Sequence, residues 1–119
     1  MANLSIALFT SVTASPSNVL PLVSDTVKGA GYNGQTNALH TVQYTIANNF
    51  TGIIKMQGTL ATTPVEADWS DVSPDVGDGV TPITPQIIVA NFGGNYVWIR
   101  SVITSFELGS LTSVLYTHN

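Results

Sequence analysis

The chain has 119 residues and no cysteine, and charged side chains fill only 8% of its positions, against about a quarter in an ordinary soluble domain. Absence of cysteine excludes disulfide stapling, thiolate chemistry and any zinc site built on cysteine. With Lys28, Lys55 and Arg100 as the only cations and a formal net charge of −4, the chain cannot displace counterions from a phosphate backbone or hold an anionic membrane surface, so neither is an expected partner.

A 44% apolar composition takes the chain out of the disordered class, and its length suits one domain, 1–119, with its own core. Period-2 alternation dominates the sequence and no window carries a helical period. The first expected strand runs from Leu4 to Val12 and ends at "TASPSN". The same apolar opening lacks the basic region of a secretory signal, so it reads as a strand. The second strand, Val19 to Val27, contains Pro21 and is therefore an edge or irregular strand. "KGAGYNGQTN", residues 28–37, reads as a Gly/Asn loop.

In "LHTVQYTIA", residues 39–47, His40, Val42, Tyr44 and Ile46 share one face. Asn48 to Gly52 reads as a turn. "IIKMQGTLA", residues 53–61, then follows as the second arm of a hairpin, with Ile54, Met56 and Leu60 inward and Lys55, Gln57 and Thr59 outward. Residues 62–82 read as loop, with a short strand from Trp69 to Val72. Gln86 to Ala90 is another strand, and a Gly-rich turn leads into Tyr96 to Phe106. Leu111 to Thr117 closes the chain as the partner of that strand in a second hairpin. The sum is about eight short strands, which predicts an all-β, single-domain antiparallel β-sandwich of jelly-roll type.

In the strand from Tyr96 to Phe106, Val97, Ile99 and Ile103 point one way, while Tyr96, Trp98, Arg100, Val102 and Phe106 point the other. Both faces are apolar, so the second must meet a loop, a neighbouring subunit or a ligand. Tyr96, Trp98, Arg100, Phe106 and Tyr116 are accordingly the interface or binding candidates. Arg100 is expected to pair with a carboxylate such as Glu107 or one from the 66–78 loop.

Five of the seven carboxylates, Glu66, Asp68, Asp71, Asp75 and Asp78, fall in one segment. Asp75 and Asp78 in "DVGDG" are the candidate calcium ligands, but the EF-hand spacing is absent and a solvated acidic loop is the expectation, with no metal and no cofactor. His40 falls on an apolar strand face and reads as a core residue. There is no nucleophile elbow, P-loop or dinucleotide fingerprint, so no enzyme activity is expected. Both tryptophans read as core; on the other reading, Trp69 and Trp98 with the tyrosines form a sugar-stacking platform.

"FTGIIKMQGTLATTPVEADWSDV", residues 50–72, and "GGNYVWIRSVITSFELGSLTSVLY", residues 93–116, resemble small β-sandwich proteins and modules of tailed-bacteriophage virions. The shared pattern runs from Gly52 through Trp69, from Gly94 through Arg100, and from Gly109 through Val114; residues 1–48 carry no part of it. The resemblance implies a non-enzymatic virion component, such as a capsid decoration, neck or tail-fibre protein, made in the host cytoplasm and incorporated into the particle. The implied partners are other virion proteins and copies of itself, with a trimer as the expected homo-oligomer. The alternative is a carbohydrate-binding module that adsorbs to a host glycan.

Overall fold

The computed structural model describes residues 5–15, 18–33 and 39–118. Seven strands form one antiparallel sheet: β1 (Ile6–Thr13), β2 (Leu22–Val23), β3 (Val27–Lys28), β4 (Leu39–Thr59), β5 (Ser70–Asp71), β6 (Gln86–Gly93) and β7 (Trp98–His118). Two 3-10 turns, Ala30–Asn33 and Glu66–Asp68, are the only helical pieces among the described residues. Leu4 and most of the Gly/Asn loop after Asn33 lie outside the described residues.

The two 21-residue strands, β4 and β7, pair with each other along almost their whole length, with the register interrupted between Ala47 and Thr51. At about 3.3 Å per residue such a strand would span about 70 Å if straight, yet the longest dimension of the molecule is 39 Å. The ribbon therefore bends back on itself. One half carries β6, residues 39–47 of β4, residues 110–118 of β7, and β1. The other carries β5, residues 53–59 of β4, residues 98–105 of β7, and the short β2 and β3. The inner faces of both halves feed one core, in which Val42, Tyr44, Ile54, Met56, Ile99, Ile103, Val114 and Tyr116 are wholly buried. The result is a sandwich-like all-β fold made from a single bent sheet.

This geometry corrects both expected hairpins. Residues 39–47 and 53–61 do not pair; 39–47 and 53–59 are successive parts of β4, and β7 likewise runs through 107–110 without reversing. The turn chemistry at these places is real but serves a bend. Asn48 and Asn49 adopt left-handed backbone (φ 53° and 55°), and Gly109 lies opposite them at φ +86°. Short carboxamide side chains tolerate that region, and glycine enters it without strain. A Cβ on Gly109 would come within 2.6 Å of the Asn48 carbonyl oxygen. Extra residues on one strand bend a ribbon and sharpen its twist. Because the bends of β4 and β7 coincide, the pair folds over together.

Bulges also move side chains between faces. Ile103 pairs with Ile54 and Ser105 with Ile53, so Thr104 is skipped and Phe106 joins Ile103 in the core. Phe106 thus leaves the face shared by Trp98 and Arg100, where simple alternation had placed it. Leu60, expected inward, is 69% exposed because β4 ends at Thr59; Thr59, expected outward, is buried.

Candidate functional site

The outer face of the half that holds β5 is built in rows set by strand register. Lys28, Trp98 and Thr59 make one row, Arg100, Gln57 and Asp71 the next, and Val23, Val102 and Lys55 the third. All three cations of the chain are therefore on this one face. The segment 62–69 lies across it. Arg100, 6% exposed, donates from Nη2 and Nη1 to the Glu66 carboxylate at 2.7 and 3.2 Å, and from Nε to Gln57 Oε1 at 2.9 Å. The Trp69 ring lies 4.4 Å from the guanidinium carbon. Fork geometry and ring stacking use the two properties that distinguish arginine from lysine. Arg100, as the largest cause, holds the Glu66 carboxyl below the usual range. The partner expected from the acidic loop is thus Glu66, and a loop of the same chain covers the second face at this point.

Trp98 and Trp69 are both half-buried on this outer face, not in the core. Trp98 Nε1–H donates to the Thr62 carbonyl at 3.0 Å, and its ring meets Tyr32 at 5.2 Å between centroids, tilted by 59°. Lys28 Nζ lies 4.4 Å from the Tyr32 centroid. Lys55 Nζ and Gln57 Nε2 donate to the Asp71 carboxylate at 2.9 and 3.0 Å, which lowers the Asp71 pKa, the Gln57 bond contributing most.

The other half has the opposite character. The three basic and seven acidic side chains lie at positions 25, 28, 55, 66, 68, 71, 75, 78, 100 and 107. None falls within β1, residues 39–47, β6 or residues 110–118. The whole four-stranded half therefore carries no formally charged side chain. Its outer face presents Thr41, Gln43, Thr45, Ser113, Leu115 and Thr117 from the central strands, with Ile87 and Val89 of β6 at 60% and 56% exposure beside them.

On the inner face of this half, at the end away from the bend, His40 is wholly buried between Tyr116 and Phe92. Its Nε2 lies 2.6 Å from the Gly94 carbonyl and its Nδ1 2.6 Å from the Tyr116 hydroxyl. A carbonyl can only accept, so Nε2 carries the proton and the Tyr116 hydroxyl donates to Nδ1. Burial lowers the His40 pKa and raises that of Tyr116. His118 faces His40 across the β4–β7 ladder, at 6.0 Å between ring centroids.

Of the remaining sequence candidates, Phe106 and Tyr116 are packed in the core, at 6% and 0% exposure, and neither stands on the outer face with Trp98 and Arg100. Tyr96 is half-buried; its ring packs where a side chain on Gly58 would stand, 2.8 Å from that Cβ position. Asp78 accepts from the Val80 and Thr81 amides at 2.8 and 2.7 Å and from the Thr81 hydroxyl at 2.9 Å, so its carboxylate closes a turn. Asp75 is exposed, and among the described residues no group of three His, Asp or Glu side chains converges on a common point. An open groove of about 850 Å³ at the bend is lined by Asn48, Asn49, Thr51, Phe106 and Leu108 among others.

Sequence reading missed the charge-free half and the exposed pair Ile87 and Val89. The signal was present in "QIIVANFG", an uncharged run of strand-forming residues between Pro85 and Gly94. No protein-family model, no curated protein and no solved structure matches this chain.

Proposed function

We propose that this chain is a non-enzymatic structural component of a tailed-bacteriophage virion, as a capsid decoration, neck or tail-fibre protein, that associates with copies of itself and with other virion subunits. One observation carries the reading: a complete four-stranded half of the sheet has no formally charged side chain, while every charge lies on the other half or at the bend. A free protein surface of that kind has little protection against association. Many weak neutral contacts suffice on a symmetric particle, where effective concentration is high. The phage assignment rests on the resemblance of residues 50–72 and 93–116 to virion sandwich proteins. Purified particles that carry many copies of the chain, together with association of the isolated chain in light scattering, are the expected results. Absence from particles overturns the virion assignment, and a monomer at high concentration overturns self-association.

A second reading, a carbohydrate-binding module for adsorption to the host surface, is favoured by the half-exposed Trp98–Tyr32 pair on the charged face. Aromatic rings beside Lys28 and the Thr62 carbonyl offer stacking and hydrogen bonding to a sugar ring. Glycan-array binding that is lost in Trp98→Ala would support it.

A further inference from the structure

Five strands border the sheet, and four of them carry features that hinder further pairing. β2, β3 and β5 are two residues long. β1 is eight residues long, but it has a register break between Ala7 and Phe9 and a left-handed Ser11 at φ 48°. β6 is also eight residues long, pairs without a break with residues 39–46 of β4, and among the described residues pairs with nothing on its other side. It contains no charge, no proline and no residue with positive φ. Shortness, bulges, proline and charge are the devices by which proteins keep sheet edges from pairing; β6 has none of them.

We propose that β6 is the self-association edge of this protein, pairing antiparallel about a two-fold axis with β6 of a second copy so that the charge-free half continues across the seam. The proposal rests on the self-association reading above and names the surface and symmetry of that contact. A second copy is the occupant that the charges favour. Like meets like in a two-fold contact, and a strand without charge meets itself without repulsion. The net charge of −4 is held on the other half and at the bend, off the seam. The side chains also continue what the monomer leaves incomplete. Ile88 and Ala90 are half-buried at the rim of the core, and the same residues of a second copy would close that rim. Ile87 and Val89, on the outer face, would meet outer-face residues of the second copy's β6 there. A two-fold seam gives a dimer, or an assembly built from dimers, in place of the trimer that the sequence suggested.

Two measurements on the full chain test this. In size exclusion with light scattering, wild type is expected to dimerise, and Val89→Lys, which places like charges across the seam, is expected to raise the dimer Kd about tenfold or more. Leu60→Lys, at an exposed site on the other half, is expected to leave it unchanged. Because the chain has no cysteine, single Ile87→Cys, Ile88→Cys, Val89→Cys, Ala90→Cys and Asn91→Cys variants report the seam directly, since the residue on the two-fold axis faces its own counterpart. At least one is expected to form an oxidised dimer, and Leu60→Cys is not. Association that is untouched by Val89→Lys, with no cross-link from any of the five positions, overturns the β6 seam and leaves self-association standing. A wild type that stays monomeric at all concentrations overturns both.

Discussion

The imidazole of His40 and the hydroxyl of Tyr116 are joined across the central ribbon at 2.6 Å, in a wholly buried pair separated by 76 residues of sequence. Proton placement in that pair is fixed from one side: Nε2 donates to Gly94, so Nδ1 must accept. Protonation of Nδ1 would set a donor against a donor in the core.

The first prediction follows for pH. Among the described residues, the groups facing His40 are Tyr116 and His118 from β7, Phe92 from β6, and the Gly94 carbonyl and Tyr96 from the turn between β6 and β7, with no carboxylate among them. Burial, as the largest cause, holds the His40 pKa below 6.5, with His118 adding to the effect. A depressed folded value means that folding favours the neutral ring. Its stabilisation is full above 6.5 and is lost as pH falls through the lowered folded value. Thermal midpoints are expected to start falling below about pH 6.5, and His40→Gln is expected to remove that limb. A second loss is expected at lower pH in both proteins, because Glu66, Asp71 and Asp78 are all held below the ordinary carboxylate range. An unchanged upper limb in His40→Gln would assign the pH response to another group.

Tyr44 gives the second. Its hydroxyl is fully buried and makes no bond within hydrogen-bonding geometry; the neighbouring Ser73 hydroxyl, which accepts from the Met56 amide at 3.0 Å, is close enough to act against the effect of burial on its pKa. Burial pushes the Tyr44 pKa up to about 12. A buried polar group that makes no bond costs stability, so Tyr44→Phe is expected to leave the protein unchanged or raise its stability by up to about 1 kcal/mol. Urea unfolding checks this. A loss of more than about 1 kcal/mol would show that the hydroxyl is bonded.

The bend supplies the third. Gly109→Ala places a Cβ at φ +86° against the Asn48 carbonyl and the Phe50 backbone. The expected cost is about 1–3 kcal/mol in chemical unfolding. Asn49→Gly, at φ 55°, is expected to be tolerated.

Trp98 supplies the fourth. A half-buried indole loses less on truncation than the about 3–5 kcal/mol of an enclosed one, so Trp98→Ala is expected to cost about 2 kcal/mol. A cost at the upper figure would place the ring in the core after all.

How much of this was legible in the sequence depends on where alternation runs unbroken. His40, Val42, Tyr44 and Ile46 were placed on the core face because nothing interrupts β4 there. Phe106 was placed on the wrong face because skipping Thr104 reverses the parity after it, and no residue type announces such a bulge. The two hairpins were misread because Asn48–Asn49 and Gly109 carry the same left-handed backbone whether a chain reverses or bends; only the pairing of distant segments decides between them. Both tryptophans were read as core, whereas Arg100 and the segment 62–69 hold them on the outside. Separation of charge into one half was invisible in the linear order, since the charged positions are scattered from 25 to 107 and are gathered only by the fold.

The central ribbon has a consequence for how the chain reaches this shape. β4 finds almost its entire length of partner in β7, which follows every other strand. Sheets that depend on such remote pairings collapse slowly, because chain closure must precede any reward. On the ribosome, the greasy inner row of β4 must wait for its mate until residues 98–118 have been synthesised, and through that interval it needs shielding from its neighbours.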